Sequence, residues 1–328
     1  MSTTLEIAHD RAAGPAPPPR SVPRLLAGVR ATHGRMDLAA HLRWYGPAPR
    51  LRRGELAEQV EQAGLTGRGG AGFPTSRKLQ TVGAARKTPL VVVNAMEGEP
   101  QSRKDGYLLE HAPQLVLDGA VLAARDVNAD EVLVALARDR GHALISVQRA
   151  AAERRNGRSK DVGVEVHAGP PRYVGGEETA LVHWLNGGPM RPLATPPRPF
   201  ERGVDGRPTL ILNAETAAHL ALIARYGPAW FRQIGTPETP GTALVTVAGD
   251  VLQQRVVEVR IGTPLPAIVE ACDPRGTPAA VLAGGFFGGW IPWELAARMT
   301  ADPASLRSVG AGLGPGILTV VEIGRAHV

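Results

Sequence analysis

Three short apolar runs, at 88–94 (TPLVVVN), 131–137 and 162–167, alternate with segments at 115–127 and 139–155 whose apolar residues recur at helical spacing. The runs have strand length, and each intervening helical segment is long enough for the crossover that parallel strands require. This alternation predicts an α/β fold with a largely parallel sheet, its functional residues gathered where the strands end. After Gly241 the pattern changes to short β-rich segments separated by turns, ALVTVAG, QRVVEVRIG and TPAAVLAG, which predicts a second, smaller unit. Upstream, 36–45 reads as a helix stopped by Gly46-Pro47, and 55–63 as another stopped by Gly64. The proline-rich start cannot pack, so residues 1–35 are expected to be a disordered leader, 36–240 the first domain and 241–322 the second.

Between the second helix and the first strand lies GLTGRGGAGFPTSRK, 64–78, in which Gly67, Gly69 and Gly72 formally satisfy G-x-G-x-x-G. A dinucleotide fingerprint follows a strand, whereas ELAEQVEQAG at 55–64 is charged and helical in period, so that context fails here. What remains is a bare loop whose N–H groups can approach an anion or a ring closely, with Lys78 adding a positive charge nearby. Taken alone, such a loop is also compatible with a simple turn.

Composition narrows the function classes. A chain of 328 residues with 43% hydrophobic content can bury a large core. The net charge of +6 comes from 33 arginines and 4 lysines that are scattered rather than clustered, and no nucleic-acid motif accompanies them. No apolar run approaches the ~20 residues of a membrane span, and the N-terminus lacks a signal peptide's apolar core, so a cytoplasmic protein is expected. The lone Cys272 excludes an internal disulfide and an iron–sulfur cluster held by this chain. The dispersed histidines show no ligand spacing, and no serine or cysteine has a nucleophile context, so neither a metal site nor hydrolase chemistry is expected.

Five further runs carry the strongest signal: VVVNAMEGEP (91–100), KDGYLLEHAP (104–113), GPPRYVGGEETAL (169–181), PTLILNAET (208–216) and IGTPETPGTALVTVAGDV (234–251). In this order and spacing, from about Glu55 to Val321, the chain resembles the FMN-binding flavoprotein subunit of respiratory complex I, the NADH-quinone oxidoreductase. The resemblance implies an FMN-binding α/β domain followed by a soluble-ligand-binding β-grasp domain. It places Gly67, Arg68, Gly69, Gly70, Gly72 and Lys78 along FMN, with Asn94, Tyr173, Gly176, Asn213 and Thr216 completing the flavin site. It assigns Glu97, Glu99, Glu177 and Glu178 to the catalytic acidic groups facing flavin and nicotinamide, and Phe73 to NADH. A Glu-Gly-Glu turn read without the resemblance is a solvated loop, and Asn213 a helix cap.

Departures fall on the NADH side. Thr81 and Arg198 stand where the family has aromatic rings against adenine, Thr195 replaces a lysine, Met96 an aspartate and Leu212 an asparagine. Two functions therefore stay open: an FMN enzyme that takes hydride from NADH, and a flavin electron carrier that exchanges electrons with a ferredoxin-like partner without NADH. Either implies an iron–sulfur redox protein or a membrane redox subunit as partner, no nucleic acid, and a location in the cytoplasm or on the inner face of the membrane. The family's iron–sulfur cluster domain is expected beyond this sequence. The last six residues, Ile323 to Val328, match one reading frame of a common sequencing adapter and are expected not to be native protein.

Overall fold

The computed structural model describes residues 21–32, 34–156 and 162–322. Helices α1 (Ala27–Thr32), α2 (Leu38–Tyr45), α3 (Glu55–Ala63) and α4 (Thr75–Gly83) precede the first strand. Asp37 caps α2 by accepting the Ala40 N–H, and α3 stops at Gly64, whose φ of 72° suits a residue without a side chain. The helix expected before the glycine loop is therefore present.

The parallel units follow as β1 (Leu90–Ala95), α5 (Lys104–His111), α6 (Pro113–Val127), β2 (Glu131–Ala137), α7 (Gly141–Asn156), β3 (Gly163–Gly169), α8 (Glu178–Leu185), β4 (Thr209–Asn213) and α9 (Ala214–Phe231). The four strands form one all-parallel sheet in the order β3-β2-β1-β4. Both faces are covered, as parallel sheets require. Val91, Val93 and Ala95 point into a core shared with α6 and α9, while Leu90 and Val92 point into a second core with Leu181 of α8. Helices α6 and α9 touch closely at Gly119, where a Cβ would lie 1.7 Å from the Ala217 carbonyl oxygen.

The second domain consists of β5 (Thr242–Gly249), β6 (Arg255–Arg260), α10 (Leu265–Glu270), β7 (Pro278–Ala283), β8 (Gly289–Pro292), α11 (Trp293–Ala296), α12 (Pro303–Arg307) and β9 (Ile317–Glu322). Its sheet runs β6-β5-β9-β7-β8, with β5 and β9 parallel and the other pairs antiparallel. The expected class, an α/β domain on a parallel sheet followed by a smaller β-rich unit, is what the structure shows.

The leader expected over 1–35 ends earlier than composition suggests. Leu25 is fully buried, and the Arg24 guanidinium donates to the carbonyls of Trp230 and Phe231 at 3.0 and 3.1 Å. The main-chain N–H groups of Arg24, Leu25 and Leu26 all donate to the Glu258 carboxylate of β6, at 2.9, 3.0 and 3.0 Å. Residues 24–26 are thus tied to both domains by partners more than two hundred positions away. Residues 1–20 and the adapter-like 323–328 lie outside the described residues.

Candidate functional site

The carboxyl ends of β1 and β4 open into a cleft of about 1080 Å³. That volume lies at the upper end of the ~300–1,000 Å³ range of ligand pockets. Its floor is set by register: Asn94, near the end of β1, is the direct partner of Asn213, which ends β4. Asn213 accepts the Glu215 N–H at 3.0 Å and so caps α9, while its amide donates to Asp105 at 2.5 Å. Asn94 donates to the Gly176 carbonyl at 3.0 Å and accepts the Met96 N–H at 3.2 Å. Both asparagines therefore serve local structure and line the cleft together.

The glycine loop covers this floor. It is closed by the Gly67 N–H donating to the Phe73 carbonyl at 2.9 Å, and Gly70 and Gly72 adopt φ of 115° and 61°. A Cβ at Gly69 would sit 3.4 Å from Cβ of Asn213. The Arg68 N–H donates to Thr216 at 2.9 Å and fixes the loop to the first turn of α9. Gly67, Gly69, Gly70, Gly72, Phe73, Lys78 and Thr216 all line the cleft.

Arg68 corrects one expectation. Its side chain turns under the loop, away from the cleft, and donates to Thr66 and to the Pro240 carbonyl at 3.2 and 3.1 Å. Burial lowers its pKa, opposed by Glu215.

The four glutamates expected to act in catalysis all line the cleft, but their hydrogen bonds divide them. Glu97, in the left-handed region at φ 45°, accepts from Ser102 Oγ and from the Asp105 and Gly106 N–H groups, at 2.7, 3.0 and 3.0 Å. Glu177 caps α8 through the N–H groups of Thr179 and Ala180, at 3.0 and 2.7 Å, and the Thr179 hydroxyl at 2.6 Å. These two carboxylates are spent on helix starts. Glu99 accepts the Tyr173 hydroxyl at 3.1 Å, and Glu178 pairs with Lys78, which also donates to the Ile211 carbonyl at 3.2 Å. Between Glu97 and Glu99 only glycine fits, since a Cβ at Gly98 would lie 1.9 Å from the Tyr173 carbonyl oxygen.

Beneath the asparagines lies a buried charged group that the sequence did not signal. Lys104 donates to Asp105 at 3.0 Å and to Glu215 at 2.7 Å, all three side chains being almost fully buried. Burial pushes Glu215 upward, but Lys104 foremost, then His219 and Arg68, hold it at about 2. For Lys104 burial is outweighed by the two carboxylates, and its pKa rises. Burial drives Asp105 up to about 6, the pull of Lys104 being offset by Glu97 and Glu215. Glu215 is thus the ionised partner of Lys104, and Asp105 the more readily protonated acid, facing the cleft.

The remaining wall comes from the second domain. Gly284, Phe287 and Gly288 of the β7–β8 turn, with Gly310, Gly312, Gly314 and Pro315 before β9, complete the lining. The glycine-rich runs at 284–289 and 310–316 were the signal available for this contribution. On the far side lie Leu193, Thr195 and Arg198, whereas Thr81 sits on the exposed side of α4 and does not reach the cleft. Met96 and Leu212 are buried core residues.

The lining suits a phosphorylated, flat cofactor. The Thr75 hydroxyl, at the start of α4, is buried in the cleft wall without a hydrogen-bond partner, and no side chain caps that helix. An uncapped helix start beside Lys78 is a ready anion site. Beyond Gly72 a Cβ would meet nothing within 4 Å, so the loop leaves open space above it. Among the described residues no group of three or more His, Cys, Asp or Glu is placed to hold a metal ion.

Residues 60–222 match the Nuo51 FMN-binding domain family. The chain is similar to a NADH-quinone oxidoreductase subunit of Rickettsia bellii, 32% identical, over 85% of this chain and 71% of that protein. It is also similar to the corresponding NADH-quinone oxidoreductase subunit of Rhizobium meliloti, 34% identical, over 82% of this chain and 67% of that protein. Among solved structures, a chain of an NAD+-reducing NiFe hydrogenase in the H2-reduced state aligns with a TM-score of 0.75 at 35% identity. That alignment covers 82% of this chain but spans only 46% of the hydrogenase chain.

Proposed function

The chain belongs to the family of the FMN-binding NADH-quinone oxidoreductase subunits, and from that premise we propose that it is an FMN-dependent electron-transfer oxidoreductase subunit that accepts reducing equivalents from NADH. The observation that carries the reading is the Asn94–Asn213 pair beneath a bare glycine loop, with the unpartnered Thr75 hydroxyl and Lys78 at one edge of the same cleft. FMN bound there supplies the step from two-electron hydride chemistry to single-electron transfer. Thr75, the first turn of α4 and Lys78 would hold its phosphate, and Asn94 and Asn213 would meet its ring edge. Gly69, Gly70 and Gly72 permit the flat approach that side chains would block.

Glu99 and Glu178, whose carboxylates are not consumed by helix caps, would position the nicotinamide amide above the ring. Glu97 and Glu177 act one step back, by fixing the turns that carry these neighbours. The electron acceptor in this reading is an iron–sulfur protein, reached from the cytoplasmic face. Among the described residues no helix is long and apolar enough to cross a membrane, and the proposed placement is in the cytoplasm or peripheral to the membrane.

The test is direct. Full-length protein should carry, or take up on titration, a yellow cofactor released by heating with the mass of FMN. A preparation that stays colourless after titration would overturn the reading.

A further inference from the structure

The second domain places two phenylalanines at the mouth of the cleft, Phe286 and Phe287, which remain 69% and 90% exposed. Leaving a whole aromatic ring in water forgoes the burial that stabilises most such side chains. The turn that carries them is nevertheless firmly built. The Gly284 N–H donates to the Ile317 carbonyl at 3.0 Å, and the Gly288 N–H to the Gly285 carbonyl at 2.9 Å. The Phe286 N–H reaches both Glu99 oxygens, at 3.1 and 3.2 Å. Gly285, at φ 74°, lies so close to Glu99 that a Cβ there would stand 2.6 Å from its carboxylate. The Tyr173 ring lies 5.4 Å from that of Phe286 and 6.1 Å from that of Phe287. Tyr173, Phe287 and Glu99 all line the cleft.

We propose that Phe287, backed by Phe286 and Tyr173, is a ring-stacking subsite for the heteroaromatic base of the nucleotide substrate, contributed by the second domain. This subsite presupposes the function proposed above and adds a ring from the second domain to Phe73 and Tyr173 of the first. Thr81 lies outside the cleft and Arg198 is not aromatic, so the aromatic residues that the first domain brings to the cleft are Phe73 and Tyr173. A base stacks on any exposed aromatic face, and the rigid turn means that little ordering cost is added on binding. The neighbouring carboxylate adds selectivity. Glu99 already accepts from Tyr173 and Phe286, and its remaining lone pair favours rings bearing an exocyclic N–H donor, such as an amine or a carboxamide.

The experiment uses the full chain loaded with FMN and tetrahydro-NADH, which cannot give up hydride, so binding is read by calorimetry independently of turnover. Phe287→Ala is expected to weaken tetrahydro-NADH binding about tenfold, within the range for loss of one base–aromatic stack. Phe287→Tyr should bind as the wild type does, and neither substitution should change FMN affinity. Unchanged tetrahydro-NADH affinity in Phe287→Ala overturns the proposal, and if electron transfer to an iron–sulfur protein acceptor slows in the same variant, the ring is a protein-docking element instead. Loss of FMN in that variant overturns it too, by making Phe287 a wall of the flavin site. A wild type that binds FMN but no tetrahydro-NADH defeats this inference and the NADH step of the proposed function while leaving its FMN site standing, whereas a wild type that binds no FMN defeats the underlying function as a whole.

Discussion

The carboxylate of Glu99 receives the main-chain N–H of Phe286 on both its oxygens, at 3.1 and 3.2 Å, so the acidic turn after β1 holds the rim of a different domain. One side chain links the electrostatics of the cleft to its closure. Glu99→Ala is expected to lower stability by about 1–2 kcal/mol through loss of this charge-assisted contact, and Glu99→Gln by less. Thermal denaturation checks the order; a Glu99→Ala variant as stable as the wild type would mean that the contact contributes nothing.

Gly70 carries a φ of 115°, with its Cβ direction facing Gly314 and Pro315 of the second domain at 3.7 Å. Gly70→Val should abolish FMN uptake, because a β-branched side chain is strained at that angle and wedges the loop away from the opposite wall. FMN fluorescence quenching measures it, with circular dichroism confirming that the fold persists.

Asp105 is protonated more easily in the folded chain, at about 6, than its ordinary value of 3.8. An acid whose folded pKa is raised favours the folded state when protonated, so its contribution to stability declines as pH rises between those two values. Glu215, held at about 2 against an ordinary 4.5, acts oppositely: its contribution is present above 4.5 and is lost as pH falls toward 2. Asp105→Asn should therefore remove the decline between about pH 4 and 6 while keeping the acid-side loss. Urea titrations across this range decide it.

NADH should be used weakly, because the remote half of a dinucleotide supplies much of the energy that positions its reacting ring. Arg198, which lines the cleft, and Thr81, which does not, separate the causes. Arg198→Phe is expected to lower KM for NADH several-fold, and Thr81→Phe to leave it unchanged. Rapid flavin reduction by micromolar NADH in the unmodified protein would contradict this expectation.

Glu258 accepts three successive N–H groups, from Arg24, Leu25 and Leu26. Glu258→Ala should release the N-terminal segment and destabilise the chain by about 2–4 kcal/mol, since three buried or half-buried donors lose a charged acceptor. Limited proteolysis should then cut near residues 24–32 before any other site.

The sheet and its helices were legible because both faces of β1 are buried by alternate apolar residues, and because α6 and α7 keep a helical period. Asn94 and Asn213 were legible as strand-end residues, although only register shows that they are neighbours. Which way a loop side chain points was not readable: Arg68 turns inward because its backbone is committed to Thr216. Nor was the burial of Lys104, since a charge is tolerated inside only where tertiary structure brings partners such as Glu215. The leader is shorter than composition suggests because proline content is local, whereas the acceptor that orders residues 24–26 belongs to β6.

That tie also sets a timetable. As the chain is synthesised, residues 24–26 emerge early and must wait for Glu258, separated from them by 232 to 234 positions, before their main chain is satisfied. The first domain can condense around its own sheet in the meantime, but its N-terminal edge stays unsealed until the second sheet is started. Contacts that distant are slow to form and leave apolar surface such as Leu25 open meanwhile. The newborn first domain thus keeps its N-terminal edge open until β6 arrives to close it.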